Sequence, residues 1–215
     1  MLIIRGYLSS DRGSVRKIAS DTAFLGGPSD IFFDDRELLA DILTLYYTEY
    51  ERESIFIAEV DGKVAGYLIG CIDIKRYKRI WITKILPLLI VKSIVKTPLI
   101  FTKKNMAFLY YCVMAFFKKE LFIPDISDDY PAILHINIAK EYRDRGMGTK
   151  LIEEYTKYLK NKRVKGIHLT TISSDAVRFF EKNGFKVIHK KKLSCFAHTG
   201  HKNISKFLLV KDLFC

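Results

Sequence analysis

Between residues 133 and 162 the chain passes from an apolar stretch, Ile133 to Ala139, through Arg143-Asp144-Arg145-Gly146-Met147-Gly148, into a segment of helical periodicity. In that segment Leu151, Ile152, Tyr155, Tyr158 and Leu159 share one side, while Lys150, Glu153, Glu154, Lys157 and Lys160 take the other. A strand, a glycine-bearing turn and an amphipathic helix in this order leave few architectures open. Two glycines with one residue between them let backbone N–H groups close on an anion at the helix start, where free amides and the helix dipole both favour negative charge. Arg143 and Arg145 add countercharge. The loop therefore has the chemistry of a pyrophosphate site.

Other phosphate loops do not fit. A dinucleotide fold needs a third glycine three positions after Gly148, where Leu151 stands, and a P-loop needs Gly-Lys-Ser/Thr after a longer spacing. With Arg143, Gly146 and Gly148, the segment resembles motif A of the GNAT superfamily of acyl-CoA-dependent N-acyltransferases. The resemblance extends to Ile138–Arg143, similar to the end of that family's fourth strand, and to Ser173–Phe185, similar to the helix and exit turn after its fifth. Upstream, Ser54 to Val60, the turn Asp61-Gly62 and Val64 to Cys71 read as a hairpin matching its second and third strands. The resemblance covers residues 1–74 and 126–215.

At 215 residues and 49% hydrophobic content the chain can bury a sizeable core, and no Ser/Gly/Pro-rich linker divides it. The reading is a single domain over 1–215 with an insertion at about 75–125. Periodicity and turn chemistry predict strands at 2–7, 131–139, 167–172, 186–195 and 204–210, helices at 11–23, 35–50, 147–162 and 175–183, and a hairpin at 54–74. Strands and helices alternate irregularly, so the expected fold is α/β (α+β), with a GNAT-like mixed, largely antiparallel central sheet flanked by helices. The N-terminus lacks a signal peptide's apolar core, and the four cysteines have no paired spacing, both as expected of a cytoplasmic protein, with membrane-peripheral placement the variant.

The insertion carries most of the charge. Residues 75–125 hold eleven Lys or Arg against two acids, nine of the chain's twelve net positive charges. They are also rich in apolar residues: Ile80-Trp81-Ile82, Ile85-Leu86, Leu88 to Val91, Leu99 to Phe101 and Met106 to Phe117. The last run, as a helix of about 1.5 Å per residue, falls short of the roughly 30 Å hydrocarbon core of a bilayer. Two expectations stand beside each other: cationic apolar helices lying on an anionic membrane surface or covering the acceptor site, or a helical pair packed on the core with snorkelling lysines. Nucleic-acid contact is disfavoured because the aromatics are clustered rather than spaced among the basics.

What the resemblance implies is direct attack of a neutral amine on the thioester of acetyl-CoA, with no metal. It assigns cofactor contacts to Ile138, Arg143, Arg145, Gly146, Met147, Gly148, Thr149 and Ser173, with the backbone near Ile138 polarising the thioester carbonyl. An amine of pKa near 10 must lose a proton. His135, on the strand face it shares with Asn137 and near where relatives carry a Glu, is the candidate base, and a hydrogen-bonded strand histidine is the alternative. Phe180 stands where relatives often place a Tyr that protonates the departing sulfur, and Ser173 replaces the usual Asn. Solvent can protonate a thiolate instead. Cys195, His198 and His201 suggest metal ligands only weakly, and Asp30, Asp34 and Asp35 read as acceptor-attracting acids or as a turn with a helix cap. The acceptor class stays open. Besides an N-acetyltransferase, the residues admit a non-catalytic acyl-CoA-binding module, or a membrane-peripheral or RNA-binding protein acting through its basic insertion.

Overall fold

The computed structural model describes residues 1–95, 101–201 and 204–214. In chain order it contains β1 (Leu2–Gly6), α1 (Arg12–Asp21), α2 (Arg36–Tyr50), β2 (Ile55–Val60), β3 (Lys63–Cys71), α3 (Ile74–Ile80), α4 (Leu86–Val95), α5 (Lys103–Phe117), β4 (Ala132–Ile138), α6 (Met147–Asn161), β5 (Gly166–Thr171), α7 (Ser174–Lys182), β6 (Lys186–Leu193) and β7 (Ile204–Asp212). The strands form one seven-stranded sheet in the order β1-β2-β3-β4-β5-β7-β6, antiparallel except for β4 against β5. Asp61 and Gly62 both take positive φ (49° and 76°), the geometry that matches a two-residue hairpin to strand twist. Strand β6 stops two residues earlier than its hydrophobic pattern suggests, because Ser194 turns to give its N–H and hydroxyl to Glu120.

Helices α6 and α7 cover one face of the sheet. Leu151, Ile152, Tyr155 and Leu159 of α6 are buried there with Leu68, Leu134, Ile167 and Phe180, each large side chain contributing about 1.5–3 kcal/mol of transfer free energy. Helices α1 and α2 cover the other face, with Val15, Ile18, Tyr46, Ile57 and Tyr67 in its core. A third cluster joins Phe24, Phe32 and Leu39 to Ala115 of α5 and to Leu193, Cys195 and Ile204.

The segment expected to be an insertion packs over α2. Between α3 and α4, residues Trp81–Ile85 form a π-turn in which the N–H of Leu86 donates to the carbonyl of Trp81. Pro87 follows directly. With no N–H to give and a ring that crowds the preceding turn, proline favours such a widened turn over regular α-helix. Lys92 of α4 donates to the buried Asp41 of α2 at 2.6 Å, and Arg16 of α1 pairs with the same carboxylate. Asn105 of α5, 2% exposed, accepts from the N–H of Asp34 at 2.8 Å, and Lys104 reaches Asp34 at 2.6 Å. The helical-pair expectation thus holds for the inner faces, although two of its lysines point inward to acids. Leu99 and Ile100 of the apolar runs lie outside the described residues. Among the described residues, no helix is long and apolar enough to cross a membrane.

Candidate active site

The site begins where the sheet divides. Strand β4 pairs with β3 along its length, from Cys71 opposite Ile133 to Gly66 opposite Ile138, but meets β5 only at Ala132 opposite Ile167 and Ile133 opposite His168. Beyond those pairs the two parallel strands separate. The N–H of Ala139 donates to Ala65 on the β3 side at 2.9 Å, so by strand alternation the N–H groups of Ile138 and Ile136 face the opening. Tyr155 stands at the root of this division. Its hydroxyl lies 2.8 Å from the carbonyl of Ile133 and 3.1 Å from that of Cys71, and a Cβ on Gly70 would come within 2.2 Å of it. Gly70 is therefore required for the hydroxyl to reach both strands.

At the far end of β4, Gly146 takes φ +73° as the N-cap of α6 and offers no side-chain acceptor. The N–H groups of Met147, Gly148 and Thr149 in the first turn have no carbonyl within the helix to meet. The Met147 side chain is buried, so its backbone alone can serve the loop. Gly148 answers to a different demand: a Cβ there would lie 2.7 Å from the ring of Phe179 on α7. The loop is shaped by a left-handed turn at one glycine and by close helix–helix approach at the other.

The two arginines differ. Arg143 donates from Nε to the carbonyl of Ile138 (3.2 Å) and from Nη2 to that of Gly26 (2.8 Å), tying the α1–α2 loop to the end of β4. Arg145 lies over the Tyr142 ring and donates to the carbonyl of Glu141 at 3.1 Å. Arg145 is thus held more loosely. Two clefts open at this end of the sheet. One, about 520 Å³, runs between α1 and the β4–α6 connection and is lined by Lys17, Asp21, Gly26, Glu141 and Arg143. The other, about 780 Å³, lies at the end of β5 among Leu25, Ser173, Asp175, His201 and Phe207. Both fall within the usual size of small-molecule sites.

His135 and Asn137 face α1 and α2 beside Tyr67. The Asn137 amide donates to the Tyr67 hydroxyl (2.8 Å) and approaches His135 Nε2 at 2.9 Å. Nε2 is then the acceptor and the ring proton sits on Nδ1. Burial pushes the imidazole down to about 4, so it is neutral at pH 7 with its lone pair engaged. The hydrogen-bonded strand histidine describes this geometry, and a role as base requires the Asn137 contact to yield. Ser173 accepts from the N–H of Ala176 at 3.2 Å and so caps α7, which leaves its hydroxyl proton free to donate outward. Phe180 is buried against Phe179 and Phe185.

The weaker candidates resolve into structural contacts. Cys195 sits against Cys112, His198 stacks on Tyr111, and His201 packs edge-on to Phe24. Among the described residues no group of three metal-ligating side chains gathers. Asp35 caps α2 through Leu38 (2.9 Å), while Asp34 and Asp30 are held by Lys104 and Arg36. The turn-and-cap reading describes these acids. Periodicity places Tyr155 on the apolar stripe of α6 but does not announce its carbonyl partners, nor those of Asn105 or the Cys112–Cys195 pair, which lie far away in the chain.

Residues 112–187, about a third of the chain, match the model of the acetyltransferase (GNAT) domain, and the match spans the loop, the divided strands and α7. The crystal structure of SsHAT superimposes with a TM-score of 0.71 at 21% identity, covering 100% of this chain and 99% of that one. The polyamine N-acetyltransferase of Drosophila melanogaster gives 0.63 at 11% identity, covering 99% and 100%. The structure of yncA from Salmonella typhimurium, solved with its cofactor acetyl-CoA, gives 0.57 at 12% identity, covering 99% and 94%. At these identities the likeness is one of fold. No curated protein matches by sequence.

Proposed function

We propose that the protein transfers the acetyl group of acetyl-CoA to a primary amine. The observation that carries this reading is the coincidence of the uncapped Gly146–Gly148 helix start with the separation of β4 from β5. The first offers N–H groups to a pyrophosphate, and the second offers a slot for the extended pantetheine arm. In this reading the N–H groups of Met147, Gly148 and Thr149 and the Arg145 guanidinium hold the pyrophosphate, Arg143 positions the loop around it, and the Ser173 hydroxyl donates to the pantetheine. The Ile138 and Ile136 N–H groups face the thioester carbonyl and stabilise the negative charge that develops on its oxygen.

The amine nitrogen attacks the carbonyl carbon, the C–S bond breaks, and the sulfur leaves as thiolate, whose pKa of about 8.5 makes it a fair leaving group without an acid. The nitrogen's proton passes to His135 once that ring parts from Asn137, or directly to water. The D. melanogaster polyamine N-acetyltransferase shares the fold, and primary amines are the acceptor class proposed here on that ground.

A second reading, acyl-CoA binding without turnover, is favoured by the buried Phe180 and by the engaged lone pair of His135. Calorimetric titration with acetyl-CoA, followed by a thiol-release screen over polyamines, agmatine and N-terminal peptides, separates the readings. Binding with acceptor-dependent thiol release supports acetyl transfer. Binding with no release on any amine supports the second reading, and absence of binding removes both.

A further inference from the structure

The insertion's inner faces are occupied by α2 and the α1–α2 loop, and its outer faces are apolar. On the first helical segment Ile82, Leu86 and Ile90 recur every four residues and are 63%, 38% and 51% exposed. On α5 Leu109, Val113 and Phe117 repeat the same spacing at 55%, 45% and 74%. Both helices lie over one layer, since Phe33, just before α2, and Leu43, within it, pack against the clusters under each. Soluble surfaces seldom leave two such stripes uncovered unless something docks there.

Charge identifies the occupant. Lys84, whose Nζ lies 5.5 Å from the centre of the Tyr50 ring, and Lys103 flank the stripes, and Lys118 and Lys119 follow α5 directly; among the described residues none of the four forms an ion pair. The segment's acids are turned to other work: Glu120 is buried against Ser194, and Asp125 accepts from the N–H of Ser127. The outer face is therefore apolar with a cationic margin and no countercharge of its own. A margin of lysines around exposed aliphatic and aromatic side chains is complementary to a bilayer, with anionic headgroups at the charge level and acyl chains beneath.

We propose that the outer face of the 75–125 insertion docks on anionic membrane surfaces, lying in the interface without crossing it. The inference is independent of acetyl transfer, and its test has no catalytic readout. The full chain is floated with phosphatidylcholine vesicles containing about one third phosphatidylglycerol and with phosphatidylcholine alone. Expected is recovery with the anionic vesicles that weakens as salt is raised, and at least about tenfold less recovery with the neutral ones. An Ile90→Glu/Phe117→Glu double variant, both positions exposed, is expected to keep the wild-type melting curve and lose vesicle binding. Lys84→Ala and Lys118→Ala are each expected to lose about fivefold. Failure to float with anionic vesicles at low salt overturns the proposal, as does a double variant that binds like wild type. Binding of a short RNA that the double variant retains, with no vesicle binding by either protein, makes the charge a nucleic-acid site instead. A wild-type dimer that the double variant dissociates, without flotation, assigns the face to a second copy of the chain.

Discussion

The two faces of the sheet are held by different forces. On the α6/α7 face, buried apolar side chains and glycines that admit close contact do the work: Gly148 against Phe179, Gly70 against Tyr155, Gly66 against Ile138. On the α1/α2 face, a comparable apolar core is overlaid by carboxylates, each holding one or two cations: Asp41 with Arg16 and Lys92, Asp34 with Lys104, Asp21 with Arg36 and Lys17. The first face carries the loop proposed for the donor, and the second borders the cleft between α1 and the β4–α6 connection. Close packing tolerates almost no change in volume, whereas exposed ion pairs can be exchanged without rebuilding a core and only a buried one such as that of Asp41 cannot. The α6/α7 side is thus constrained by volume and the α1/α2 side by the pairing of its charges.

Asp41→Ala should show the largest effect on stability. Its carboxylate is nearly buried, and burial, which raises its pKa, is outweighed by Lys92 and Arg16, so that the net shift is downward. Removing it leaves Arg16 with Glu37 and Lys92 with no acid, at a cost of about 2–3 kcal/mol, below the full penalty for a buried pair because Lys92 can turn to water. Urea unfolding measures the loss. Acetyl-CoA affinity should be unchanged, and a parallel loss of affinity would show that the two faces are not independent.

Gly148→Val tests the opposite face. The added side chain meets Phe179, and overpacking of this kind costs about 1–3 kcal/mol while displacing the first turn of α6. Acetyl-CoA binding should fall beyond detection by calorimetry. Gly148→Ala should be recovered in part by Phe179→Ala, since the clash belongs to that pair. Lack of any recovery would mean that the glycine acts through backbone freedom alone. Tyr155→Phe should cost less, about 1–2 kcal/mol, by leaving the Ile133 and Cys71 carbonyls without their shared donor at the root of the division. Hydrogen exchange should then quicken on β3 and β4 but not on the β6–β7 hairpin.

How much of this could be read beforehand follows the same division. Helix α6 begins and ends within a residue of its expected bounds, because its apolar stripe and glycine start are local signals. The Asp61-Gly62 turn is equally local. On the other face, Arg143 shows the limit. In the chain it reads as countercharge for a phosphate, yet in the fold it spans Ile138 and Gly26, and nothing near residue 26 announces that contact. Asn105 and Lys104 likewise look like ordinary helix-start residues until the α1–α2 loop is laid across them. The widened turn at Trp81–Ile85 has a local signal in Pro87, but a single proline does not distinguish a π-turn from a kink or a helix end.

The smallest predicted effect bears on where the two faces meet. His135 is the titratable side chain on β4 between the divided strands and α1, and its folded pKa, pushed down to about 4 by burial, lies below the ordinary value of 6.5. Protons therefore favour the unfolded chain: the stabilising contribution is complete above 6.5 and is lost as pH falls from there through about 4. The ring keeps part of its surface in contact with solvent, so at about pH 5 the loss should be on the order of 1 kcal/mol. His135→Gln, which can still accept from Asn137, should flatten the stability profile between those limits and leave stability at neutral pH close to wild type. The same variant sharpens the chemistry. If His135 takes the amine's proton, kcat should fall at every pH with KM for acetyl-CoA unmoved. If the proton goes to water, the rate should keep rising with amine deprotonation exactly as in wild type, and His135 belongs with Tyr67 and Asn137 to the packing of the acceptor face.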